Sequence, residues 1–320
     1  MAQKKQNKWV AFIVLTIAAG LIYRVPYLKT VFYNPLVQAF AISNTEVGAM
    51  MSYYSLTKTI LYIPAGILVD RFDNRKMLVF SLVMLAVLTF VYAMIPSMTI
   101  VYILYMLMAI SNVIFWTAFV KAVRMFGSAK EQGSVFGYSE GIRAVASLII
   151  NFIALAMYAK LEVTSDVPLR GVLLLYGGIY LLMGIAIWFL IPSGTGNEEG
   201  HHATFKDYLN VLKVPAVWIV SVLVMCCYSV QVASEYTTPY LNNVMLMSAA
   251  TAGVVATIRS YGVGLFAAPI IGKITDKVKL PYSVSVMILL GLEIIMTLIL
   301  LIMPGDPSVC LLYTSDAADD

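Results

Sequence analysis

The sequence predicts an all-α membrane protein, a bundle of about nine membrane-crossing helices. Three observations predict it. The 320 residues are 61% hydrophobic and 12% charged, where soluble domains carry about 25% charged residues. The mean hydropathy of +0.86 is more than one globular core can hide, so apolar surface must meet lipid. The apolar residues also fall into runs of about 20, the length that crosses the hydrocarbon as a helix, with the basic residues clustered between the runs. Lipid offers the backbone no hydrogen-bond partner, so the runs must be helical.

Lys4, Lys5 and Lys8 precede the first run with no small-residue cleavage site after it, so that run reads as a span and not as a cleaved leader. The candidate spans are 9–29, 46–69, 77–95, 99–120, 133–159, 170–191, 216–240, 250–271 and 282–303. Ser43-Asn44-Thr45-Glu46 has the form of a capping box and starts the second. The connection at Pro96-Ser97 is short enough to make its flanking spans antiparallel neighbours. Between 192 and 215 the chain turns polar. Its first part is linker-like, and Phe205, Tyr208, Leu209 and Leu212 then recur at helical spacing, as in a helix lying on the membrane face. This divides a six-helix unit, 1–191, from an incomplete second unit, 216–303. The polar stretch 304–320 reads as a non-native tail, which implies a C-terminally truncated chain.

Basic residues set the orientation. Lys4, Lys5, Lys8, Arg71, Arg75, Lys76, Lys121, Arg124, Lys130, Lys206, Lys213, Lys273, Lys277 and Lys279 all fall in connections on the amino-terminal side, and only Lys29, Lys160 and Arg170 fall on the other. The amino terminus is therefore expected in the cytoplasm, with the chain in the cell (inner or plasma) membrane. The same clustering excludes nucleic acid as a partner; the partners expected are the bilayer, a small solute and a coupling ion, with the chain a monomer. The cysteines (Cys226, Cys227, Cys310) and the pair His201-His202 show no metal-ligand spacing. No nucleophile, metal or phosphate-loop constellation appears, so neither an enzyme nor a cofactor is expected. A receptor or scaffold that does not transport would carry a large soluble extension, and none is visible.

The charged knot from Gly66 to Leu78 contains Asp70, Arg71, Asp73, Asn74, Arg75 and Lys76, and a weaker copy holds Gly272, Lys273, Asp276 and Lys277. Gly66 permits close helix approach. Asp70 ends the second span, where the helix dipole disfavours a carboxylate. It therefore needs a partner, a basic side chain or another helix's amino terminus, and such a contact can serve as a gate latch. Arg71, Arg75 and Lys76 can also serve simply as anchors at lipid headgroups. The knot resembles the signature loop of the major facilitator superfamily, in which Gly66, Asp70, Arg71, Arg75 and Lys76 match the pattern and Asp73 stands where glycine is usual. Asp73-Asn74 is expected to make the same turn in a left-handed conformation. The resemblance implies twelve helices in two related bundles, alternating access around a central site, and Gly272 and Asp276 as the second gating loop. The fourth span lacks the arginine-to-glycine motif of proton-coupled members. The fifth carries Gly133, Gly137 and Gly141 but not the glycine-proline pair of drug exporters.

Ionisable residues inside spans are costly and default to function. They are Arg24, Lys58, Arg143 and Arg259, with Glu140, Glu235 and Glu293. Lys58, Arg143 and Arg259 each lie on the order of 18–20 Å from the inner helix ends, which can place them at one depth. Glu140 and Arg143 are spaced to pair with each other. Cations facing one cavity suit an anionic solute, with the glutamates as proton carriers. Tyr23-Arg24, Lys58 and the Ser43…Glu46-Val47-Gly48 stretch resemble the organophosphate:phosphate antiporter branch, in which two such basic residues help bind phosphate. The seventh span carries Glu235 and no arginine, which widens the solute to carboxylates, sulfonates and sugar acids. Tyr23, Tyr27, Tyr53, Tyr54 and Trp116 are candidate cavity walls. The alternative is proton-coupled symport of a neutral sugar or peptide, with the glutamates central and the cations structural.

Overall fold

The computed structural model describes residues 2–127, 131–161, 167–192, 210–234, 238, 240–241, 247–259, 270, 287, 291 and 294–295. Every regular element among them is a helix: α1 (Ala2–Leu21), a 3-10 turn (Leu28–Thr30), α2 (Tyr33–Phe40), α3 (Asn44–Arg71), α4 (Asn74–Tyr92), α5 (Met98–Arg124), α6 (Gln132–Lys160), α7 (Val167–Leu190), α8 (Pro215–Ser234) and α9 (Ala249–Thr257). The fold class is the one expected.

Four described helices, α4 to α7, are long and apolar enough to cross a membrane on composition alone. At 28 residues α3 is longer than all of them except the 29-residue α6, but Ser52, Ser55, Thr57, Lys58 and Thr59 interrupt its apolar run. Two of these polar groups are absorbed locally: Ser52 Oγ donates to the Gly48 carbonyl (3.0 Å) and Thr59 Oγ1 to that of Ser55 (2.9 Å).

One core runs through α1 and α3–α7. α3 lies on α5, α5 on α4, α4 on α7, and α1 closes the bundle against α6, α7 and α5. α9 packs on α6 and α2. Its Gly253 seats against α6 and the chain before α2, where an added Cβ would come 2.9 Å from Leu155 Cδ2 and 3.3 Å from the Val31 carbonyl oxygen. Beside it, buried Thr238 donates its hydroxyl to the Thr30 carbonyl at 2.8 Å. This seam lies at the end of the bundle opposite Asp70.

The capping box forms: the Ser43 N–H donates to Glu46 Oε2 (2.8 Å) and the Glu46 N–H to Ser43 Oγ (3.3 Å). Two expectations are corrected. The first span does not run to residue 29; helix ends at Leu21 and resumes only as a 3-10 turn at Leu28 and as α2. Pro26 is the cause, since it lacks an N–H and its ring clashes with the preceding turn. The left-handed turn expected at Asp73 is absent: its φ is −59°, and its carboxylate caps α4 by accepting the Lys76 N–H at 3.1 Å. Asp is one of the best N-cap residues, so a cap replaces the turn. Left-handed non-glycine residues fall elsewhere among the described residues, at Ala41 (φ 50°), which ends α2, and at Ile95 (φ 53°), just before Pro96 and after α4. The span placed at 282–303, the inner-face helix drawn through Phe205 and Tyr208, and the tail 304–320 lie outside the described residues, apart from isolated positions.

Candidate functional site

The site begins at the break in α1. A helix interrupted inside a bundle leaves backbone groups that need partners. Tyr180 of α7, fully buried, supplies both: its hydroxyl donates to the Leu21 carbonyl at 3.0 Å and accepts the Val25 N–H at 3.4 Å. The phenol thus stands in for the lost Val25-to-Leu21 helical bond. Just before the break, an added Cβ at Gly20 would come 2.8 Å from the Arg143 carbonyl oxygen, and Ser147 Oγ donates to the Gly20 carbonyl at 3.1 Å, so α1 and α6 meet backbone to backbone. Tyr180→Phe is expected to strand the buried Val25 N–H, the Leu21 carbonyl keeping the Arg24 N–H at 2.9 Å, and to destabilise the protein by roughly 1–3 kcal/mol, read as a lower melting temperature in detergent.

The break presents Tyr23 to α3 and α5. The Lys58 ammonium lies 5.1 Å from the centre of the Tyr23 ring, 5.2 Å from that of Tyr54 and 5.9 Å from that of Tyr62. Tyr54, Lys58 and Tyr62 share one face of α3 through successive i, i+4 steps, and Tyr23 completes the cage from α1. Among the described residues no carboxylate pairs with Lys58, and the rings supply cation–π attraction of about 0.5–2 kcal/mol. Tyr54 is held in turn by Asn112, whose Nδ2 donates to its hydroxyl at 2.7 Å. A file of rings continues from it through Tyr105 (6.4 Å) and Tyr92 (5.8 Å) to Phe40 of α2 (5.1 Å).

Trp116 joins this cage to the second cation. Its ring lies 6.1 Å from Tyr23, and the Arg143 guanidinium sits 4.8 Å from its centre on the other side of the link. Arg143 Nη1 donates to Glu140, the pairing expected from their spacing. Arg143 Nε is buried without an acceptor among the described residues. Among the described residues the arrangement is thus one ammonium without a counter-ion and one guanidinium with donor capacity to spare, linked by aromatic rings.

At the far end of α3, Lys121 Nζ donates to Asp70 Oδ1 at 3.0 Å. The partner demanded by the position of Asp70 is therefore the last turn of α5, a helix of the same six-helix core. Arg75 is more than an anchor. It stacks on Trp188 (4.5 Å) and donates from Nη1 to the Trp188 carbonyl at 3.3 Å, and so caps the end of α7, where a cation suits the helix dipole. Asn74 Nδ2 donates to the Ala118 carbonyl at 3.0 Å, fixing the start of α4 to α5. Arg71 and Lys76 lie beside these on the ends of α3 and α4, and Gly66 sits one turn above Asp70.

The expected site residues thus divide. Lys58, Arg143, Tyr23, Tyr54 and Glu140 come together. Arg24 lies within electrostatic range of Tyr180, and Arg259 follows α9 half-buried. Tyr53 packs on Tyr102 instead (4.9 Å). Glu235, Glu293, Gly272 and Asp276 lie outside the described residues. Tyr62, Lys121 and Tyr180 were not singled out from sequence. The i+4 step from Lys58 was a signal for Tyr62; nothing local marks the other two.

A multi-helix membrane bundle with an interrupted first helix and a polar, cation-bearing cluster inside it defines a polytopic transport-type architecture. The family follows from comparison: residues 9–315 match the model of the Major Facilitator Superfamily, and the chain belongs to that family. It is 25% identical over 301 residues to the inner membrane protein YqcE of Escherichia coli strain K12, covering 91% of this chain and 71% of that one. It is 25% identical over 280 residues to the inner membrane protein YihN of the same organism, covering 85% and 66%. Among solved structures it resembles a bacterial homologue of the human lysosomal transporter Spinster, in an inward-facing and unoccupied conformation. The TM-score is 0.66 at 15% identity, with 86% of this chain and 64% of that one covered. The chain therefore spans just under two thirds of the length of that transporter.

Proposed function

We propose that the protein is a secondary active transporter of a small anionic solute, working by alternating access in the inner membrane with its amino terminus in the cytoplasm. Lys58 carries the reading. A lysine in mid-helix, caged by tyrosines and lacking a carboxylate among the described residues, is an expensive arrangement that a bound anion would complete. Arg143 Nε is the second donor facing the same cluster, and a planar guanidinium suits carboxylate or phosphate oxygens. The solute class is an organophosphate, a carboxylate or a sugar acid, and the aromatic walls suit the apolar face of a ring. The two-unit division at 192–215, the monomeric state and the coupling ion belong to the same proposal, as do the gating roles of Gly66, Asp70, Arg71, Arg75, Lys76, Gly272 and Asp276 and the proton-carrying roles of Glu235 and Glu293. The seam at Thr30, Thr238 and Gly253, opposite Asp70, supports a state closed on the outer side.

Uptake into proteoliposomes tests the reading, with glycerol 3-phosphate, a hexuronate and a neutral hexose offered in parallel. Anion uptake is expected in the wild type, and Lys58→Gln is expected to lower it at least tenfold, the loss of one charge-assisted contact of about 1.5–3 kcal/mol. Uptake of the hexose alone, or anion uptake that survives both Lys58→Gln and Arg24→Gln, would overturn the anion site and favour symport of a neutral solute.

A further inference from the structure

We infer that Glu140 is a built-in counter-anion for the solute site, which occupies Arg143 when the site is empty and is displaced from it by the incoming anion. The inference rests on the anion reading above. Three observations carry it. First, the two partners of the pair differ in freedom: the Arg143 side chain is 18% exposed and the Glu140 side chain 48%. Arg143 is held by its stacking on Trp116 at 4.8 Å, so the carboxylate is the partner able to swing out. Second, the pair is incomplete as a structural ion pair. Glu140 takes Nη1 only, and the buried Nε has no acceptor among the described residues. A buried donor in this state costs free energy, and a solute carboxylate or phosphate binding the guanidinium edge in bidentate fashion would remove that cost. Third, the position is shared: Trp116, on which Arg143 stacks, lies 6.1 Å from Tyr23, whose ring also faces Lys58. An anion drawn to Lys58 therefore arrives beside Arg143 and competes with Glu140 for it.

An i, i+3 pair on one helix is commonly a surface brace worth a few tenths of a kcal/mol. Two features set this one apart: its guanidinium is mostly buried, and it sits against the aromatic cluster. A brace and a counter-anion also differ in what removing the carboxylate does. Loss of a brace lowers stability and leaves solute affinity alone; loss of a competitor raises solute affinity. Direct contact between Glu140 and the solute predicts the opposite sign.

The test is equilibrium binding of radiolabelled glycerol 3-phosphate and of a hexuronate to the purified full-length protein, with melting temperature measured in parallel. Glu140→Gln is expected to bind the anion roughly tenfold more tightly than the wild type, within the range of a typical coupling between two ligands of one site. The gain is expected to vanish in Glu140→Gln/Arg143→Gln. Glu140→Asp, whose carboxylate is drawn back by one methylene, is expected to bind roughly threefold more tightly and serves if the glutamine variant does not fold. Unchanged or weaker binding in a folded variant would overturn the counter-anion role. Failure of the wild type to bind either anion would sink the anion reading itself, a different outcome from wild-type binding without tightening in the variants.

Discussion

Replacing Gly253 with leucine is expected to abolish net uptake while leaving the protein folded and able to bind solute. Gly253 is a point of close approach between α9, α6 and the chain before α2, and even a methyl group there would press on Leu155 and the Val31 carbonyl. Leu155 can yield by a change of rotamer, so Gly253→Ala is expected to be tolerated. A leucine adds bulk that the backbone oxygen at Val31 cannot accommodate, and overpacking of this kind typically costs 1–3 kcal/mol. Neighbouring Ala252 and Ala256 are fully buried and leave no slack. The cost would fall on the state in which the seam is closed, so the population should shift toward the state in which it is open. A membrane-impermeant thiol reagent applied from the outside reads this directly: Thr238→Cys should react much faster in the Gly253→Leu background. Equal labelling together with normal uptake would show that the seam does not gate.

Reversing the charge of Asp70 is the second large effect. Asp70→Lys sets a lysine against Lys121 at the ends of α3 and α5, in place of the ion pair at 3.0 Å. A partly exposed pair contributes only about 1 kcal/mol to stability, so unfolding is not expected. The cost should appear in transport, because α3 carries Lys58 and its far end would splay from α5. Uptake is expected to fall at least tenfold, and the exchanged pair Asp70→Lys/Lys121→Asp is expected to recover most of it. Without recovery, Asp70 would act through some group other than Lys121. Asp70→Asn against Lys121→Gln, with their double variant, measures the coupling of the pair.

The helices were legible in the sequence because lipid imposes one rule over about 20 residues at a time, and the capping box and the Glu140–Arg143 pair were legible because both are spacings within one helix. The break in α1 was visible in principle at Pro26 but was hidden by the surrounding apolar residues, which hydropathy reads as one span. Asp73 was misread for a related reason: a residue that tolerates a left-handed turn is also among the best caps, and only the backbone angle decides between the two. Contacts between helices far apart in the chain, such as Tyr180 with Val25, Lys121 with Asp70 and Arg75 with Trp188, left no local trace. Within the site, the cage around Lys58 was half legible, through Tyr54 on the same helix face and Tyr23 beside Arg24.

The file of rings from Tyr54 through Tyr105 and Tyr92 to Phe40 joins two places that a transport cycle must keep in step. One end touches the ammonium of Lys58; the other is on α2, against which α9 packs. Planar rings have few rotamers and resist compression, and close-packed interiors transmit strain. If a solute settles on Lys58 as proposed, a tilt of Tyr54 would therefore not be absorbed on the spot. On the proposed reading it would be passed along a push-rod to the seam at Thr30, Thr238 and Gly253, so that cargo arriving in the middle of the protein would be felt at its door.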